Sequence, residues 1–344
     1  MGFEHMHTVS RSKRWGVWLP VVFSLAALTP AALSQTAAQK TPAQKTTKVW
    51  HVALCHVGLD HEPPGLHTMH RALNDMGYVD GKNLNFDWRN QADAAGAEAT
   101  VKRWVAAKVD VIVGFEDQCV RAAKAATSTI PIVFVQIYDP VVSGYVKSLA
   151  RPGANLTGPV GNLKLIDKRL ELLKEIDPRA QQILTLIDGR DPYVPNELGL
   201  ARQAAARLGL KLIERDAGTE ADLKRVFAGL KPGEVNAVIT ASPDLQTNHP
   251  HLIIELGQAA RLPVVGPREA WVEWGALLSY STDADTAGPV AARYIDKIFK
   301  GANPAELPVE ELSRTVFAVN LKRARELGIA IPTSLRARID RVVE

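Results

Sequence analysis

TSTIPIVFVQIYDPVVSGYVKSLARPGANLTG, residues 127–158, reads as a buried strand, a ligand-facing loop, a short helix and a tight turn. Residues 130–135 form a β-branched apolar run with Pro131 near its start, where a missing N–H is tolerated. They predict a parallel strand covered on both faces. In open α/β sheets ligands sit beyond the carboxyl ends of strands, which is where Tyr138, Asp139 and Pro140 fall. Ser143 suits the N-cap of a helix running to residue 149, and Pro152-Gly153 makes the turn that feeds Asn155-Leu156-Thr157-Gly158.

Outward from this stretch, strand and helix signals alternate, which argues for parallel βα units rather than a sandwich or a bundle. Strands are expected over 50–57, 83–88, 109–114, 130–135 and near 155, with helices over 65–76 and 92–107 between them. A second set follows: strands over 182–187, 211–215, 237–240, 263–266 and 277–280, and helices over 195–208, 220–230 and 251–260. Gly77 and Gly209 each stand just beyond an amphipathic stretch, where a left-handed cap ends a helix.

The first 34 residues read as a secretory signal: Arg11, Lys13 and Arg14, then an apolar run over 15–33, then Ala32-Leu33-Ser34 at the cleavage-determining positions. Pro20 and Pro30 interrupt that run, which argues against a membrane span, and no cysteine stands at the boundary to carry a lipid. Residues 35–47, rich in Ala, Gln, Thr and Lys, are expected to be a flexible lead-in. The remaining roughly 310 residues exceed what one core usually covers, so two lobes are expected. The formal charge of +4 falls to +2 once Glu4 and the three basic residues leave, and no Lys/Arg stripe stands out, so nucleic acid is a poor partner.

Several further segments carry a resemblance. These are RALNDMGYVDGKNL (71–84), KVDVIVG (108–114), KRLELLK (168–174), LPVVG (262–266), GALLSY (275–280), YIDKIFKG (294–301) and FAVNLK (317–322). In this order, and with the opening stretch, they resemble the substrate-binding proteins of ABC importers related to the tryptophan/tyrosine-binding type, over residues 48–344. The resemblance implies an α/β fold of two Rossmann-like lobes with parallel sheets joined by a hinge, the type I periplasmic-binding-protein fold. Residues 48–160 and 283–313 would form lobe 1, and residues 161–282 and 314–344 lobe 2. It further implies a monomeric periplasmic protein that captures a small solute, with an amino acid or amine-bearing molecule as the candidate, and hands it to an inner-membrane permease.

A cleft between two such lobes is lined by strand-end loops and helix N-termini, where free N–H groups and small polar side chains receive a ligand. The first lobe offers Asp60 after strand one, Glu116 and Asp117 after strand three, and Tyr138 and Asp139 after strand four. The second offers Asp188 and Tyr193, then Ser242 and Asp244, then Arg268 and Glu269, with Arg268 suited to a bidentate contact with a ligand carboxylate. Asp139 is the leading contact. Any of these could instead be a solvated loop charge or a helix cap; it is their recurrence at successive strand ends that favours a cleft.

The sequence departs from the resemblance at one place. The family commonly has small residues with Ser or Thr hydroxyls just after strand three, whereas this chain has Glu116-Asp117-Gln118-Cys119. Strands one and three are neighbours in a doubly wound sheet, so this loop should lie beside His56, Asp60, His61 and Glu62. An acidic pocket of this kind could receive a ligand amine, or its His, Asp, Glu and Cys side chains could take a divalent metal; the favoured reading is a solvent-facing His61 and Glu62 with Cys119 packed inside its helix, the amine comes second and the metal last. No metal ligand and no cofactor is assigned. The same neighbour argument brings Cys55 near Cys119, which allows either a disulfide or two buried thiols.

Weaker signals have ordinary explanations. Asn155-Leu156-Thr157 fits a glycosylation sequon but sits in a turn, His249-Pro250-His251 fits a helix start, and Trp271 and Trp274 fit packing. The chain has no Gly-x-Ser-x-Gly elbow, HExxH, Walker loop or Gly-x-Gly-x-x-Gly after a strand, so no catalytic constellation can be named and no enzyme is expected. A periplasmic ligand-sensing domain for a signalling partner remains the alternative, because it uses the same fold.

Overall fold

Five parallel strands make the first sheet: β1 (Trp50–Val57), β2 (Leu84–Gln91), β3 (Val111–Phe115), β4 (Ile132–Val135) and β5 (Leu156–Thr157), in the order β2-β1-β3-β4-β5. They belong to a computed structural model that describes residues 48–57, 63, 65–162 and 164–344. The expected signal and lead-in, and Asp60, His61 and Glu62, lie outside the described residues. Strands β3 and β4 are buried along their whole length, as continuous apolar runs require when both sheet faces are covered. Helices α1 (Leu66–Asp75), α2 (Ala94–Ala106) and α3 (Glu116–Ala126) make the crossovers, with α2 capped by the Asp93 side chain at Gly96 N.

The chain leaves this sheet through β6 (Pro159–Val160) and α4 (Leu165–Ile176). It then builds β7 (Gln182–Ile187), α5 (Val194–Leu208), β8 (Lys211–Asp216), α6 (Glu220–Ala228) and β9 (Ala237–Thr240). Next come α7 (Pro243–Asn248), α8 (Pro250–Ala259), β10 (Val265–Gly266), α9 (Ala270–Glu273) and β11 (Leu278–Thr282). Strands run β8-β7-β9, and a single bridge from Val238 to Val264 joins β9 to the edge of β10-β11. The second lobe therefore repeats the winding of the first. Gly77 and Gly209 end α1 and α5 at φ of 91° and 65°, the left-handed conformation in which a Cβ is unwelcome.

After β11 the chain returns: α10 (Ala287–Phe299) packs on α1, and β12 (Glu310–Glu311) pairs with β6. It then crosses again into β13 (Thr315–Asn320), α11 (Leu321–Glu326) and finally β14 (Arg341–Val343). Strand β13 runs antiparallel to β11, an exception to the parallel pattern that a crossing back from the other lobe produces. The three crossing segments are tied side by side. Asn162 N donates to Thr282 Oγ1 at 2.9 Å, Asp283 N to Arg314 O at 2.9 Å, and Arg314 Nε meets the Asp283 carboxylate at 3.0 Å.

Close packing of α10 on α1 depends on Gly288. A Cβ there would stand 2.5 Å from Met69 N and nearer still to Gly65 O and Thr68 Oγ1. Gly288→Ala is therefore expected to cost about 1–3 kcal/mol, the usual range for overpacking a filled contact. Urea unfolding monitored by circular dichroism measures it, and a loss under about 0.5 kcal/mol would mean that the helices separate without strain.

The helix expected over 143–149 does not form; the segment is a series of turns. The Asp139 carboxylate accepts from Val141 N at 2.9 Å and Val142 N at 3.1 Å, and Ser143 returns both its N–H and its hydroxyl to Asp139 O. Local side-chain bonding of this kind competes with helix formation, and Gly144 then takes φ of 68°. Asn155 Nδ2 is likewise spent on Thr127 O and Ile130 O, which gives the sequon residue a structural task.

Candidate functional site

Each sheet reverses its winding once, between β1 and β3 in the first lobe and between β7 and β9 in the second, and the loops beyond such a point diverge to leave a crevice. Glu116 and Asp117 stand at the first of these places and Asp188, Tyr193, Ser242 and Asp244 at the second, while Tyr138 and Asp139 follow β4 and Arg268 and Glu269 follow β10. In the first lobe Glu116 follows β3 at φ of 60°, a conformation that is strained for a residue with a Cβ. Its carboxylate accepts from Arg268 Nη1 of the second lobe at 3.0 Å and lies 3.9 Å from Nε2 of the buried His56. Asp117 is bonded to the Tyr145 hydroxyl and the Arg121 guanidinium.

Cys119, in the same turn of α3, is bonded to Cys55 of β1, and both are fully buried. The acidic turn is thereby fastened to the neighbouring strand. Its sulfur is not available as a metal ligand, and among the described residues no group of three His, Cys, Asp or Glu side chains is arranged to hold a metal.

At the second lobe's reversal, Asp191 is 2% exposed and accepts from Tyr193 N at 2.9 Å, Ser242 Oγ at 2.6 Å and Asp244 N at 2.9 Å. Ser242 also caps α7. Asp188 is held by Arg190 through both carboxylate oxygens, at 2.9 and 2.8 Å, and that ion pair keeps its carboxyl below the usual range. Asp244 behaves oppositely. Burial, then the negative charges of Asp191, Asp117 and Asp188, push its carboxyl up, although Arg121 pulls the other way. Asp117 belongs to the other lobe, whose Ser143 meets Tyr193 of this one. An open depression of about 280 Å³ beside Asp244 is also lined by Asp188, Arg190, Asn248 and His249.

Two further bonds cross between the lobes. The Tyr138 hydroxyl donates to the buried Glu197 at the start of α5, and the Tyr193 hydroxyl meets Ser143 Oγ. The two tyrosine rings pack edge to face, centroids 5.1 Å apart at 63°. Burial raises the Tyr138 phenol well above its ordinary value, with Glu197 adding to the effect, so it stays a neutral donor. Behind Glu197 lies Arg169, 8% exposed, whose guanidinium donates to Tyr280 O at 2.9 Å and Pro267 O at 3.1 Å and stands 3.8 Å from the Glu197 carboxylate.

Not every expected contact faces the crevice freely. Asp139 is occupied with its own turn, and Glu269 is bound by Arg341 Nε at 2.9 Å on the edge strand β14. Arg268, expected to meet a ligand carboxylate, is shared between Glu116 and Thr247 Oγ1, each at 3.0 Å. Trp271 is core, while Trp274 is partly exposed against the His251 ring at 4.2 Å. Sequence reasoning missed Ser143, Asp191, Arg169 and Glu197 as members of the site. Arg169 lies in the KRLELLK segment and Asp191 between Asp188 and Tyr193, but only their partners across space mark them out.

Residues 51–343 match the family described as ABC transporter substrate binding protein. A tyrosine-binding protein of Clostridioides difficile is 27% identical over 251 residues, 73% of this chain and 72% of that protein. Among solved structures, a conserved domain protein from Vibrio cholerae is 29% identical with a TM-score of 0.73, covering 86% of this chain and all of that one. An ABC domain in complex with L-Trp from Streptococcus pneumonia shares the fold at 24% identity and the same TM-score of 0.73, covering 86% of this chain and 100% of its own.

Proposed function

This chain belongs to the ABC transporter substrate binding protein family, a non-enzymatic family, and we propose that it closes its two lobes around a small amine-bearing solute and presents it to an inner-membrane permease. Export by a cleaved signal over 1–34 and work as a periplasmic monomer are parts of the same reading. So is a division into lobe 1 at 48–160 and 283–313 and lobe 2 at 161–282 and 314–344, with the tied crossing segments as hinge. The observation that carries it is the set of bonds that join the two walls near the places where the sheets reverse, Arg268 to Glu116 at 3.0 Å, Tyr138 to Glu197 and Tyr193 to Ser143. A ligand touching both walls binds the closed state selectively and so drives closure. The tyrosine-binding relative and the L-Trp complex point to an aromatic body on that solute, and the Tyr138–Tyr193 pair suits a ring.

A thermal-shift screen over aromatic amino acids, aromatic amines, small carboxylates and sugars tests this. A ligand at a hundred times its Kd adds about 2.7 kcal/mol of apparent stability, a clear shift for a chain of this size. At least one amino acid or amine should give it. A response to sugars alone would overturn the assigned solute class, and a shift unaffected by Asp244→Ala would move the site elsewhere.

A further inference from the structure

We infer that the cleft is charge-matched to a cation that lacks a carboxylate, a primary amine on an aromatic body, rather than to a zwitterionic amino acid. This rests on the reading of the interlobe cleft as the binding site, and it concerns only what charge the occupant carries. The location comes from the reversal of both sheets and from the bonds between the lobes, not from the acidic residues themselves.

An amino acid needs a seat for its carboxylate, and among the described residues the arginines near this cleft are already engaged, most of them by the chain's own acids. Arg268 is bonded to Glu116 at 3.0 Å, and Arg190 is engaged by both oxygens of Asp188 and by Gly218 O. Arg121 is taken by Asp117, and Arg169 is enclosed by Tyr280 O, Pro267 O and Glu197. The N-terminus of α3, where free N–H groups would receive an anion, carries Glu116 and Asp117 in its first turn instead of small hydroxyl residues. At α7, Ser242 caps the helix and Asp191 accepts Asp244 N.

Amines meet the opposite situation. Asp191 is buried and ionisable, and none of its three donors carries a charge. Asp244 takes no side-chain hydrogen bond among the described residues; it feels Asp191, Asp188 and Asp117, with Arg121 opposing but already bound to Asp117. His249 lines the same depression as Asp244. Among the described residues these two neighbouring carboxylates are thus left without a base, and an ammonium between them would relieve their mutual repulsion. The Tyr138 and Tyr193 rings, 5.1 Å apart, supply the aromatic surface over which a cation or an arene is favoured.

Calorimetric titration of the full-length mature protein with matched probes tests the inference: tyramine against L-tyrosine, tryptamine against L-tryptophan, and the corresponding amine-free arylpropionates. Each amine should bind at least tenfold more tightly than its amino acid, and the arylpropionates should not bind. Asp244→Asn, which keeps the size of the side chain and removes its charge, should weaken the amine at least tenfold. Glu116→Gln, which releases Arg268, should narrow the gap by strengthening the amino acid. An amino acid that binds as tightly as its amine overturns the inference and leaves the cleft assignment standing. Failure of all three probe classes overturns both. Because the decisive comparison uses the unmutated protein, poor folding of a variant does not blunt it.

Discussion

Loss of the Cys55–Cys119 bridge is expected to lower the melting temperature by roughly 8–16 °C, because it releases a loop of about 65 residues in the unfolded chain. Chain-entropy arithmetic gives about 4 kcal/mol for a loop of this length, and each kcal/mol moves the midpoint of a domain this large by roughly 2–4 °C. The bridge joins the centre of β1 to the first turn of α3, so its loss also frees the turn that carries Glu116 and Asp117. Both sulfurs are fully buried, and reduction should therefore be slow in the folded protein and fast in denaturant. Calorimetry of the oxidised protein against the Cys55→Ala, Cys119→Ala double variant measures the effect. Alkylation and mass measurement of the denatured, unreduced protein check the premise: two alkylated thiols would refute the bridge, and a change below about 2 °C would refute its contribution.

The second large effect is expected at Glu197. Glu197→Ala would leave the Arg169 guanidinium buried without its ion-pair partner, a loss of about 3–5 kcal/mol, and would strip the acceptor from Tyr138. Burial already raises the Glu197 carboxyl against the pull of Arg169 and lowers the guanidinium, so the pair is held at a desolvation cost. Replacing both members by apolar residues, Arg169→Met with Glu197→Leu, should accordingly lose less than Glu197→Ala alone. Denaturant unfolding of the single and double variants gives the comparison; a double variant no better than the single one would show that the cost is in packing rather than in the stranded charge. Tyr138→Phe removes only the hydroxyl that bridges the lobes. Its effect belongs to ligand affinity, through a smaller closed fraction, more than to stability.

How much of this was legible in the sequence follows from how local each signal is. The apolar run in 130–135 and its counterparts at 182–187 and 237–240 announce buried parallel strands, because continuous β-branched burial is a property of neighbouring residues. The same holds for the helices that end at Gly77 and Gly209. The helix expected at 143–149 failed on an equally local detail, the Asp139 carboxylate closing a turn upon itself. The acidic start of α3 was also readable, as was its position beside β1 and hence near Cys55.

What the sequence by itself determined, then, is the alternation of strands and helices, the doubly wound order that puts strand-end loops at one rim, and the residue types available there. The tertiary structure alone decided which charges neutralise which. Arg268 reaches Glu116 across 152 positions, Tyr138 reaches Glu197 across 59, and the antiparallel β11–β13 pair comes from a chain that leaves and returns. Periodicity is set by the backbone repeat and survives in a short window, whereas Coulomb and hydrogen-bond energies depend on distances through space that no spacing along the chain encodes. That difference is why a wall of acidic loops could be read early, and why the carboxylates left without a base, Asp191 and Asp244, emerged only once the lobes were seen face to face.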